Sequence, residues 1–463
     1  MQTNHAVQEP DADGLAVVHP RSEEAIGRSA LRKASMRLLP LIGVGYGIAY
    51  MDRVNVSFAA LQMNQQLHFS AAVFGLGAGL FFLPYAALEI PSNLMLLRFG
   101  ARRWLARIMF TWGLLSMGMI FVRTPLEFYT GRLLLGAAEA GFFPGIIFYL
   151  SRWFPAKDRA KAVSRFYIAF PLASTVMGAL AGSLMHLDGR GHLAGWQWLL
   201  LMEGLPAVAM SLVFLVALPD GPSQARWLTD AERGWIAREL EEPESRGDGQ
   251  MHGTMGAFRD PRVWLVGMFL FCLYVATYGY TFIAPSLVRQ VTGLQATGVG
   301  MIIAGLGILG AAAMLLNGGH SDRKGERYWH ILLPVVLMAP AFVAAGFSSR
   351  AAVVIAALAV VMIGFNAFQG PLWTIPTSFL QGRSAAAGIA TVNMIAILGG
   401  FAGPYWMGLS AGRMGGYQRG LVTLAAPILV AAVLITMAHR YGERKAAAAI
   451  HLPSVAAASD TGD

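Results

Sequence analysis

An all-α membrane protein of twelve transmembrane helices, arranged as two pseudo-symmetric halves of six, is the fold class that the sequence predicts, and three observations predict it. Hydrophobic residues make up 56% of the 463 and charged ones only 13%. An average soluble protein carries about 25% charged residues, so this chain has too little polar side chain to cover a water-facing surface. Apolar stretches of roughly 20 residues, the length that crosses about 30 Å of hydrocarbon, recur along the sequence. A short motif of the first six returns in the second six at the same topological place.

The stretches fall at 37–61, 73–97, 104–122, 127–150, 162–186, 196–218, 263–288, 297–317, 329–347, 351–379, 385–410 and 417–438. Their glycine- and proline-containing runs, GVGYG, GLGAGLFFLP and GLGILG, predict close helix contacts and mild breaks, which a bundle tolerates because neighbouring helices satisfy the freed backbone groups. Residues 1–35 hold no apolar core followed by a small-residue cleavage site, so they read as a disordered tail and not a signal peptide. Residues 441–463 read as a second disordered tail. The single cysteine, Cys272, excludes an internal disulfide and any cysteine-based metal cluster.

Lysine and arginine placement orients the chain. With the N-terminus inside, the short inner loops carry Arg98, Arg102, Arg103, Arg107, Arg152, Lys157, Arg159, Lys161, Arg165, Arg323, Lys324, Arg327 and Arg383. The outer loops carry only Arg123, Arg190, Arg289, Arg350, Arg413 and Arg419. This positive-inside bias predicts two cytoplasmic termini and accounts for most of the net charge of +9 without a nucleic-acid partner. The long polar interval at 219–262 separates a first half, 36–218, from a second, 263–440. Within it Thr229, Asp230, Ala231 and Glu232 have the spacing of a capping box, so a short amphipathic helix along the inner membrane face is expected.

The repeated motif is RxGxRxW. It reads Arg98, Gly100, Arg102, Trp104 and again, 225 positions later, Arg323, Gly325, Arg327, Trp329. Both copies lie between the second and third helix of their half, so duplication explains them better than two unrelated basic turns.

Six stretches in order carry a resemblance to a known family. They are AYMDRVN in helix 1, IPSNLMLLRFGARRW after helix 2, RLLLGAAEAGFFPG in helix 4, RWFPAKDRAKAV after it, WQWLLLMEGLPA in helix 6 and GGHSDRKGERYWH after helix 8. Together they resemble the major facilitator superfamily, and within it the anion:cation symporter family of bacterial permeases for tartrate, sugar acids and aromatic carboxylates. The resemblance implies a monomeric carrier in a bacterial inner membrane, working by alternating access with H+ as coupling ion and no cofactor. It implies proton-carrying roles for Asp52 and Glu139 and substrate contacts at Trp373 and Asn393. One departure is visible: the acid expected before the basic residues of the first loop is Leu97 here, whereas the second copy keeps Asp322. A gating salt bridge is therefore expected in the second loop only, where Asp322, Arg323, Gly325 and Arg327 stand, opposite Gly100 and Arg102 in the first.

The charges inside the spans point the same way. An ionisable group near the bilayer centre costs at least about 2.5–3.5 kcal/mol, so it faces the bundle interior and marks a pathway. The first half holds Asp52, Arg53, Glu89, Arg132 and Glu139 in its helices. Shifted by the repeat offset, Asp52 and Arg53 correspond to Thr277 and Tyr278, and Glu139 to Gly364. One half supplies charge and the other neutral polar and aromatic groups, among which Tyr278, Gln369, Trp373 and Asn393 stand at mid-helix. Tyr46, Tyr50 and Arg53 share a helix face, while Asp52 points about 100° away. An arginine grips a carboxylate through paired N–H donors better than a lysine does. Arg53, beneath Tyr50 and with Tyr85 near the cavity, is the first choice for the substrate anion. Arg132 either shares that role or holds Glu139 ionised. Glu89 reads as structural or gate-related, and Glu203 as a solvated or helix-pairing residue near the outer surface.

The function expected is import of a small organic carboxylate with protons, with sodium-coupled symport or anion exchange as the alternative. None of the ten histidines falls in mid-helix and no nucleophile or metal-ligand motif occurs, which argues against an enzyme. The sequence does not choose between tartrate, a sugar acid and an aromatic acid; Phe142 and Phe170 tilt the reading toward a less hydroxylated one.

Overall fold

Among the described residues, eleven helices are long and apolar enough to cross a membrane. They are α2 (Ala71–Phe99), α3 (Ala101–Phe121), α4 (Pro125–Ser151), α5 (Lys161–Met185), α6 (Gly195–Ala217), α7 (Pro261–Thr292), α8 (Ala296–Lys324), α9 (Tyr328–Phe347), α10 (Ala351–Leu372), α11 (Gly388–Met414) and α12 (Tyr417–Lys445). The twelfth is the first in sequence, α1 (Pro20–Gln66), whose apolarity is diluted by Asp52, Arg53 and Asn55. The computed structural model describes residues 20–245, 259–372, 375 and 382–450, with the backbone alone at 20–22, 156, 157, 160, 164, 241–245, 382–387, 446 and 448–450. Trp373, one of the sequence-predicted substrate contacts, lies outside the described residues. Among these residues there is no strand, and the chain is an all-α bundle of two six-helix halves.

The flanks of the spans are apolar, as a lipid-facing surface requires. Val216 is 87% exposed and Phe347 78%, positions that would be liabilities in water.

Two boundaries differ from the sequence reading. Residues 20–35 are helical and not a disordered tail, because α1 continues through them. The helix that ends the bundle likewise runs on to Ile450, past the expected boundary at 440. The reason for the first is the linker. Its helix, Asp230–Ser245, begins with the expected capping box, in which the Glu232 amide donates to Thr229 Oγ1 and the Thr229 amide to Glu232 Oε2. It packs on the extension of α1: Lys33 Nζ lies 2.8 Å from Glu232, Ser29 Oγ donates to the same carboxylate, and Trp235 stands against Gly27 where a Cβ would be 2.4 Å from the ring. Buried, Glu232 would tend upward, but these donors hold its carboxyl well down, at about 2.

The two halves meet along glycines. Toward the end of the bundle away from the termini, a Cβ on Gly75 would lie 2.4 Å from the carbonyl of Pro404, one on Gly79 2.7 Å from that of Phe401, and one on Gly300 2.1 Å from that of Gly178. Only a residue without a side chain lets the α2 and α11 backbones, and those of α5 and α8, come so near. Arg289 adds a bond across the halves to the Leu61 carbonyl at 2.8 Å.

Candidate functional site

Helix α4 is built to break in its middle. Thr124 caps it through a box with Glu127, and Pro125 occupies the first turn. Its first segment ends at Glu139, then Gly141 adopts φ +83° and a second segment starts at Phe142. A side chain at Gly141 would be strained and would also meet Ser92 Oγ at 2.3 Å. The interruption sets Glu139 at a helix end inside the bundle, 1% exposed.

Arg53 reaches that carboxylate from α1 and forms an ion pair with it. Its guanidinium lies 5.1 Å from the Tyr85 ring centroid and 5.5 Å from that of Phe81, so aromatic faces support a cation that is only 12% exposed. One Nη carries the bond to Glu139, while Arg53 Nε and Glu139 Oε2 are buried and without a hydrogen-bond partner.

Asp52 turns the other way, as the helical spacing predicts. Ser116 Oγ on α3 and Asn55 Nδ2, one turn along, both donate to its carboxylate. Neither pairing is with Arg53. Adjacent residues of one helix thus serve two different polar clusters.

Arg132 is fully buried and its direct hydrogen bonds go to the backbone. It stands 4.9 Å from the Phe81 ring centroid, and its nitrogens donate to the carbonyls of Gly77 and Ala78 at 3.4 Å each. Those carbonyls belong to the turn before the break of α2 at Phe81, so Arg132 occupies acceptors freed by that break. Glu139 is paired by Arg53 in its stead.

The second half contributes neutral groups, as expected: among the described residues, every buried acid or base within a spanning segment lies in the first half. Tyr278 packs on Phe82 at 4.8 Å and on Tyr274 at 5.3 Å between centroids. Tyr50 faces Phe170 at 4.2 Å, and Phe170 meets Phe365 of α10 at 6.0 Å. Gln369 is buried with both amide atoms unpartnered. Asn393, anticipated as a substrate contact, donates to Glu89 Oε1 at 2.8 Å, joining the halves at the lower end of the α2–α11 seam. From Gly75 to Glu89 that seam is about 21 Å long at 1.5 Å per residue.

The loops repeat their motif in three dimensions. Gly100 and Gly325 both take positive φ, +84° and +65°. Asp322 pairs with Arg327 at 2.6 Å within its own turn, and Arg323 is exposed beside it. In the first loop the missing acid is supplied from elsewhere: Asp220, just after α6, accepts from the Arg102 amide at 2.8 Å. Asp220 and Ser116 were not singled out from the sequence, since neither lies in a motif that names its partner. Glu203 corrects the sequence reading outright. It is 4% exposed at mid-α6 and not solvated, with Asp52 and Asn55 of α1 beside it.

Comparison with known proteins agrees with this architecture. The chain is 44% identical over 404 residues to a putative tartrate transporter of Agrobacterium vitis, covering 87% of this chain and 90% of that one. It is 36% identical over 419 residues to a quinolone resistance transporter of Acinetobacter baumannii, covering 90% and 96%. Among solved structures, a bacterial homologue of the human lysosomal transporter Spinster, inward-facing and unoccupied, superposes with a TM-score of 0.72 at 16% identity over 88% of this chain and 97% of that one; it shares the fold. The Major Facilitator Superfamily profile matches residues 42–404. The chain belongs to that superfamily and is a multi-pass membrane transporter, not an enzyme.

Proposed function

We propose that this transporter imports a small organic carboxylate together with protons, as a monomer in a bacterial inner membrane with both termini in the cytoplasm. The observation that carries the reading is the Arg53–Glu139 pair with its open donor. A substrate carboxylate and Glu139 compete for one guanidinium. While Glu139 is charged it occupies Arg53. Once it binds a proton, the attraction ends and the Nη and Nε groups of Arg53 are free to grip a carboxylate in the paired geometry that arginine favours. Binding of the anion and of the proton are therefore linked, which is what symport needs.

Asp52 supplies a second protonatable group behind the site, and Glu89 with Asn393 a contact that opens or closes as the halves rock. The relative named as a tartrate transporter supports a carboxylate substrate. Rocking about the site fits halves that are closed at one end by glycine contacts, which the positive-inside bias makes the outer end.

The purified chain in liposomes holding a pH-sensitive dye tests this. Addition of tartrate, a sugar acid or an aromatic carboxylate outside is expected to acidify the lumen for one class and not the others. Entry of labelled acid without acidification would remove proton coupling and leave sodium symport or exchange.

A further inference from the structure

Four carboxyls are buried in the spanning part of the first half: Asp52, Glu89, Glu139 and Glu203. Three have donors. Asp52 receives Ser116 and Asn55, Glu89 receives Asn393, and Glu139 receives Arg53. Both Glu203 oxygens are buried with no donor in hydrogen-bond geometry and no counter-ion; its one polar neighbour able to donate, Asn55, gives its hydrogen bond to Asp52. Its neighbour Gly204 packs so closely on α3 that a Cβ there would lie 2.6 Å from Met117 and 2.7 Å from the Gly113 carbonyl, which seals that side.

The groups that face Glu203 are Asp52 and Asn55. Asp52 in turn accepts from Ser116 on α3, while Glu139 and Arg132 on α4 act on it only through their charge. A buried carboxylate with no counter-ion, whose one neighbouring donor is engaged elsewhere, is less favourable than the neutral acid. Two buried carboxyls that repel one another titrate as a pair, and the member with donors is the one that carries the charge.

We propose that Glu203 is a further proton-carrying site: in this conformation it holds the proton while Asp52 holds the charge, with Asn55 as the donor shared between them. The inference rests on the proton-coupled reading above. When Asn55 turns its amide from Asp52 to Glu203, the O–H bond of Glu203 breaks and an O–H bond forms on Asp52. The negative charge moves the opposite way. Asp52 then releases the proton toward the Arg53 site, and the pair reloads from the other side in the next cycle.

Two measurements on the full chain in lipid test it. At neutral pH and without substrate, the infrared spectrum is expected to show a protonated, unbonded carboxyl band that Glu203→Gln removes and Asp52→Asn leaves in place. No band lost in Glu203→Gln, or the band lost in Asp52→Asn, would overturn the assignment. In liposomes supplied with tartrate, Glu203→Gln is expected to lower by one the protons entering per tartrate, and Glu203→Asp to restore the wild-type ratio. A Glu203→Gln protein that remains monodisperse with an unchanged ratio would refute the coupling role. If the wild type itself takes up tartrate without acidification, the proton-coupled reading fails, and the role of Glu203 in coupling fails with it; the infrared band separately decides where the proton sits.

Discussion

Arg53 and Asp52 sit side by side in sequence and serve separate clusters, and that divergence is legible from the 100° step of an α-helix alone. What each side chain reaches is not. Ser116 and Glu203 approach Asp52 from α3 and α6, more than 60 and 150 residues away in sequence, and Ser116 stands in a plain stretch, LLSMG. Arg132 shows the same limit. The sequence offered it the substrate or Glu139 as partner, and its hydrogen bonds go to carbonyls at a break in another helix. The Arg53 assignment makes a prediction at this scale. Arg53→Lys keeps the charge but loses the planar pair of donors, and a hydrogen bond to a charged group is worth about 1.5–3 kcal/mol. Tartrate binding measured by calorimetry is expected to weaken about tenfold or more; a Kd within about twofold of wild type would show that no paired grip exists.

At the scale of elements, the spans were readable because twenty apolar residues have few alternatives to a membrane helix; most ends fall within a few residues of the expected positions, while the helices expected to end at 317 and 438 run on to Lys324 and Lys445. The extension of α1 was not, because its polar sequence forms a stable helix only against the linker. Lys33 and Ser29 meet Glu232 across 199 and 203 residues, a pairing that local pattern does not reveal. Glu232→Ala is expected to raise hydrogen exchange through residues 23–35 while leaving the spans protected; unchanged protection there would show that the extension stands alone. The pH dependence has a definite sign. A carboxyl held at about 2 against an ordinary 4.5 contributes its stability fully above the ordinary value. Docking of the linker should therefore be at full strength above about pH 4.5 and weaken progressively as pH falls from there toward about 2.

For the whole molecule, the twofold plan came from one seven-residue repeat, and the structure extends it to two turns with left-handed glycines at Gly100 and Gly325. The division of labour also holds at this scale: buried charge in the first half, aromatic and amide groups in the second. The contacts between halves were hidden from the sequence, because a glycine that permits backbone approach looks like any other glycine until its partner is known. Gly178 opposite Gly300 and Gly79 opposite Phe401 bring the halves together at one end, and Glu89 with Asn393 ties the seam nearer the other. Between these ends lies the Arg53–Glu139 pair, the point on which transport with protons depends in this account. The measurement that tests it most directly is tartrate affinity against pH in the wild type and in Glu139→Gln. If protonation of Glu139 frees Arg53, wild-type affinity rises as pH falls, and Glu139→Gln binds at least as tightly with little dependence on pH. A Glu139→Gln protein that keeps the wild-type pH dependence would contradict it.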